Sequence, residues 1–120
     1  MTRRDLIICS VLTVVIELLC ILARFGLGFE STVSTASTIG VLTFGLRIHH
    51  GYVGALLIVL TWLLRLPSEW LRWFQIIGLA LFVSDLVHHF FVLWPLTGSP
   101  QFDLVYPPAV LTLCCDYDNW

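Results

Sequence analysis

Three long apolar runs, separated by polar stretches, set the organisation of this chain. The first spans about Leu6 to Arg24, the second runs from His49-His50 to about Leu66, and the third from about Trp73 to Trp94. A helix of ~20 predominantly apolar residues is long enough to cross the hydrocarbon of a bilayer. The pattern therefore predicts an all-α integral membrane protein with three transmembrane helices, forming one domain over residues 1–120. Arg3 and Arg4 precede the first run as they would in a signal peptide. No small-x-small cleavage site follows, so the run is expected to remain as a membrane helix.

The stretches between the runs differ in kind. Residues 25–48 read as an outer loop, rich in Gly, Ser and Thr as far as Gly40. Val41 to Ile48 is apolar and partly β-branched, broken by Gly45 and Arg47, and fits either a short strand or the first turns of the next helix. Pro67 is expected to end the second helix and Ser68 to cap the third. Trp70 and Trp73 suit an interfacial aromatic belt. Pro95 and Gly98-Ser99-Pro100 close the third run, and residues 95–120 form an outer tail. In that tail Gln101 to Tyr106 is expected to be extended, and Val110 to Cys115 is too short to cross a bilayer. The segments Val41–Ile48 and Gln101–Tyr106 are tethered to the ends of the two histidine-bearing helices, so they are expected to meet as a lid; two unrelated loops are the equal alternative.

Composition sharpens the class. The chain is 58% hydrophobic and 12% charged, against roughly 25% charged in a soluble domain. The net charge of −2, with no basic run and no Gly-rich phosphate loop, excludes a nucleic-acid partner. Arg3, Arg4, Arg65 and Arg72 fall on one side of the expected membrane and Arg24 and Arg47 on the other. The positive-inside rule then places the amino terminus in the cytoplasm and the carboxy terminus outside a plasma or inner membrane.

Against this apolar background the polar residues stand out. Ser84-Asp85-Leu86-Val87-His88-His89 lies within the third run. An Asp at the centre of a membrane helix costs roughly 2.5–3.5 kcal/mol on insertion scales, so it calls for a partner. At about 100° per residue, His88 and His89 lie about −60° and +40° around the helix from Asp85, so the three share a face. Glu17 is buried in the first run, on a face with Thr13, Cys20 and Arg24. His49 and His50 open the second run. With the amino terminus inside, all four histidines and both carboxylates fall in the outer half of the membrane. Imidazole and carboxylate donors from facing helices suit one or two transition-metal ions: iron, zinc, manganese or copper. The expected ligands are His50, His88, His89, Asp85, Glu17 and His49. His50 is favoured over His49 because it shares a face with Gly54, Leu57 and Thr61. Either Glu17 or Asp85 ligates or serves as general base.

Other readings use the same residues. The cluster could be polar packing, with Glu17 paired to Arg24 or Arg47. Haem b could take His50 and His88 or His89 as axial ligands, with Gly54 and Gly78 leaving room for the ring. A proton relay draws on the same residue types. Cys114-Cys115 are adjacent and fit a plain tail, Cys9 and Cys20 fit packing, and no CxxC, CxxCH or HExxH occurs. Clustered His and Asp in membrane helices are loosely similar to the sites of membrane-bound desaturases and hydroxylases. The HxxxH and HxxHH boxes of those families are not in this chain. The expected function is a small membrane protein with an outward-side metal site acting on a lipid or small apolar substrate. The competing expectation is a haem-binding or structural subunit of a larger membrane redox complex, or a homo-oligomer.

Overall fold

The structure, a computed structural model, describes residues 1–29, 40, 42–65 and 67–106. Cys114-Cys115, the run Val110–Cys115 and most of the Gly/Ser/Thr-rich loop lie outside the described residues. The chain divides into two compact units: Met1–Ile21 with His49–Gln101, and Leu22–Ile48 with Phe102–Trp120. All helices that carry the candidate site residues belong to the first.

Helix α1, Arg3–Ile21, begins on a reciprocal cap. The Thr2 backbone N–H donates to Asp5 Oδ2 at 2.7 Å, and the Asp5 N–H donates to Thr2 Oγ1 at 3.3 Å. This is a capping box with Asp in the place of Glu. Helix α2, His50–Leu63, starts one residue later than the apolar run: His49 has an extended backbone, φ −88° and ψ 145°. It ends where the Leu64 N–H donates to Leu60 O at 2.9 Å. Helix α3, Ser68–Val87, opens directly after Pro67, so Ser68 is its first residue and no side chain caps it. It starts five residues ahead of the expected Trp73.

Helix α3 does not stop at Val87. It widens into a π-helical turn, His88–Leu93, and continues as α4, Trp94–Thr97. The widened turn carries the helix past Pro95, which lacks a backbone N–H and would break a regular ladder. Gly98, with φ 75°, then closes it in the left-handed conformation.

Two of these helices are long and apolar enough to cross a membrane: Arg3–Gly26, 24 residues, and Ser68–Thr97, 30 residues. At 1.5 Å per residue they run about 36 and 45 Å, against ~30 Å of hydrocarbon. The 14 residues of α2 reach only about 21 Å by the same rise.

Within the first unit α2 and α3 form an antiparallel hairpin that closes on glycine. A Cβ on Gly54 would lie 2.5 Å from the Gly78 carbonyl oxygen and 2.7 Å from the Phe82 nitrogen, and one on Gly78 would lie 2.8 Å from the Gly54 oxygen. These glycines bring two backbones into contact, so they leave no space there for a haem ring. Helix α1 lies parallel to α3. Arg72 Nη2 and Nε meet Asp5 Oδ1 at 2.7 and 2.8 Å, and farther along Ser84 Oγ donates to Glu17 Oε2 at 3.3 Å. Both pairs are 67 residues apart in sequence, which is one register held at two levels. Between them Cys9, Ile76 and Ala80 form a small apolar core.

Burial runs opposite to that of a water-soluble bundle. Asp5, Glu17, Ser84, Asp85, His88 and His89 are buried, while Leu18, Leu19, Leu56, Val59, Trp62 and Phe91 are exposed, Trp62 by 83%.

In the second unit a π-helical turn, Leu22–Gly26, carries Arg24. The expected extended segments do meet: Leu46 and Val105 form an isolated antiparallel bridge. Arg47 N–H donates to Leu104 O and Tyr106 N–H to Gly45 O, both at 2.9 Å. Arg47 stands 3.9 Å from Asp103. Phe44 and Gly45, at φ 55° and 85°, turn the chain into this pairing.

Candidate metal centre

The motif Ser84-Asp85 followed by His88-His89 places two i, i+4 pairs side by side on α3. Adjacent residues are about 100° apart, so the pairs face different neighbours. Ser84 and His88 turn towards α1, where His88 Nδ1 is 2.9 Å from Glu17 Oε1 and Ser84 holds the other carboxylate oxygen. Asp85 and His89 turn towards α2 and the residue before it, His49. The single shared face expected for Asp85, His88 and His89 is therefore two faces. Glu17 pairs with His88 and Ser84, which differs from the pairing with Arg24 or Arg47 that polar packing would suggest.

His49, Asp85 and His89 come together as a group able to hold a metal ion, all three buried. His49 Nδ1 is 3.0 Å from His89 Nε2, His89 Nε2 is 3.8 Å from Asp85 Oδ1, and His49 Nδ1 is 3.9 Å from the same oxygen. The point equidistant from the corners of a triangle with those sides lies about 2.1 Å from each, matching the ~2.0–2.2 Å at which zinc sits from imidazole nitrogen and carboxylate oxygen. Among the described residues Asp85 Oδ1 accepts no hydrogen bond although it is fully buried. A buried carboxylate oxygen without a hydrogen bond is costly, and a cation at the triangle would satisfy it.

The other histidine of the pair stands beside this group. His50 Nδ1 is 3.1 Å from Asp85 Oδ1 but is not aligned to donate to it, and His50 Nε2 is likewise buried without a hydrogen bond. The His50 side chain is 30% exposed, more than the other site side chains. The preference for His50 over His49 assumed that both belong to a helix. The extended backbone of His49 frees its ring from the helical screw and sends it into the group.

Three further features hold the arrangement. Gly51 lets α2 ride against the carboxylate: a Cβ there would lie 2.6 Å from Asp85 Oδ2. The His89 Nδ1–H donates to the Pro100 carbonyl oxygen at 2.6 Å. The His49 ring packs edge-on against Tyr52, centroids 5.3 Å apart. Neither Pro100 nor Tyr52 is marked by its residue type as part of a site; Gly51, next to the histidine pair, carries the only signal a sequence offers.

No protein family, curated protein or solved structure matches the chain.

Proposed function

We propose that this chain is a small integral membrane protein whose three helices cross the bilayer, with a first-row transition-metal ion held by His49, Asp85 and His89 in the outer half of the membrane. The observation that carries the reading is the ligand triangle closing on a fully buried carboxylate oxygen that accepts no hydrogen bond. The inverted burial supports the membrane setting, since exposed Leu, Val and Trp around buried carboxylates and imidazoles suit lipid and not water. The α2–α3 connection is too short for a detour, so α2 crosses with its partners and draws on the flanking residues to complete its span.

Two imidazoles and one carboxylate leave coordination positions open, the arrangement of catalytic zinc and non-haem iron sites. A bound ion there would supply an activated water or a polarised oxygen. The chain's own residues set the rest. Apolar helices exclude bulk water and admit a lipid or small apolar substrate. Glu17 holds the His88 imidazole by Nδ1, with Ser84 fixing the carboxylate, so His88 is oriented to move a proton. The partners are membrane lipid and either a second copy or a larger membrane complex.

The test is metal content and absorption of the full chain purified in detergent, beside helix content. Wild type is expected to carry stoichiometric metal without a Soret band. Asp85→Asn, His49→Ala and His89→Ala each remove it, while His88→Ala and Glu17→Gln retain it. Metal-free wild-type protein that also takes up none on addition, with all five variants merely less stable, would leave only a polar packing cluster.

A further inference from the structure

The His89 ring is gripped from outside the triangle. Its Nδ1 lies 2.6 Å from the Pro100 carbonyl oxygen. A carbonyl oxygen only accepts, so Nδ1 carries the hydrogen, and in the neutral ring Nε2 keeps its lone pair. That Nε2 faces His49 Nδ1 and Asp85 Oδ1.

The Pro100 carbonyl is itself held by a built turn. Gly98, at φ 75°, ends α4 with its N–H on Trp94 O at 2.9 Å. The Thr97 hydroxyl lies 2.8 Å from Leu93 O and 2.9 Å from Ser99 O. The Gln101 N–H donates to Ser99 Oγ at 3.3 Å.

We propose that the turn Gly98–Pro100 is the positioning element of the metal centre: its last carbonyl locks His89 in the tautomer that offers Nε2 to the ion and fixes the plane of the ring. The proposal rests on the metal reading above and adds which His89 nitrogen ligates and what sets it. It also makes the turn a control point, because whatever displaces it releases His89 from the tautomer the ion needs. Outer partners of this kind typically change metal affinity 10–100-fold.

Gly98 is the lever, because its left-handed backbone excludes β-branched residues, while Asn tolerates it. A Cβ there meets nothing within 4 Å, so the substitution acts on the turn and not through a clash. The experiment uses the full chain in detergent micelles, with zinc alone as the probe. Nitrogen-15 chemical shifts of the histidine rings in metal-free protein report the tautomer, and zinc titration reports affinity; circular dichroism verifies that each variant keeps its helices.

The expected result is His89 protonated at Nδ1 in wild type and in Gly98→Asn. Gly98→Val is expected to show a mixed tautomer and zinc binding at least about tenfold weaker. A bare Nδ1 in the wild type overturns the proposal. So does a Gly98→Val protein with wild-type tautomer and zinc affinity. A wild type that holds Nδ1–H yet binds no zinc overturns the metal reading and with it the role given to the turn, while the grip of Pro100 on His89 stands.

Discussion

The carboxylate of Asp85 has one face on α2 and the other on the three-atom group, so its position depends on a residue with no side chain. Gly51→Ala puts a methyl 2.6 Å from Asp85 Oδ2 and 2.8 Å from its Cβ, inside contact distance for any pair of heavy atoms. The substitution is expected to lower stability by about 1–3 kcal/mol, as overpacking does, and to reduce bound metal by pushing Asp85 out of the triangle. Thermal melting and metal content on one preparation measure both. Much of this was legible in the sequence: an Asp and two His in one turn of an apolar run stand out because buried polar groups need partners. The choice between His49 and His50 was not. It depends on where a helix starts, to the residue, and an extended φ,ψ at His49 leaves no mark in residue type. The grip on His89 comes from a main-chain carbonyl, which every residue possesses.

Helix boundaries account for the other differences. Trp73 is an apt start for a membrane span if aromatic residues mark the interface, yet α3 begins at Ser68, because the residue after a proline is free to be helical. The far end runs to Thr97 because the π-helical turn His88–Leu93 takes up Pro95. Helix contact follows from the same economy of side chains. At Gly54 the obstacles to a Cβ are backbone atoms of α3, which cannot swing aside. Gly54→Val is therefore expected to force α2 and α3 apart, lowering the melting temperature more than Gly51→Ala does. It is also expected to weaken the proposed metal binding, although residue 54 is outside the His49–Asp85–His89 group. A Gly54→Val protein with wild-type melting and metal affinity would contradict the close contact. The small-residue pattern in the second run announced close packing; that it seals the space a haem would occupy needed the partner helix.

At the scale of the molecule, α1 and α3 run the same way, and α2 runs opposite to them on the other face of α3. The amino-terminal ends of α1 and α3 therefore sit together, with Arg3, Arg4 and Arg72 at that end and the histidine cluster towards the other. Under the positive-inside rule this end is expected to be cytoplasmic. In single-cysteine variants Ser68→Cys is expected to react with an impermeant thiol reagent only from the cytoplasmic side, and labelling from outside would invert the topology. Three apolar runs were visible in the sequence. Three crossings already make the first and third runs parallel; the register between them was not visible, because it is set by the contacts Asp5–Arg72 and Glu17–Ser84, each 67 residues apart, and Glu17–His88.

That equal spacing has a consequence for how the chain is assembled. Two polar clasps, twelve residues apart on each helix, act as a vernier: sliding α1 by one turn releases both at once. Alignment of α1 on the hairpin is thereby written into the helices and not into the residues that join them. A gene split within residues 30–39 is expected to yield two polypeptides that find each other in the membrane and co-purify. Arg72→Ala and Glu17→Gln together are expected to abolish that complementation while each half still inserts.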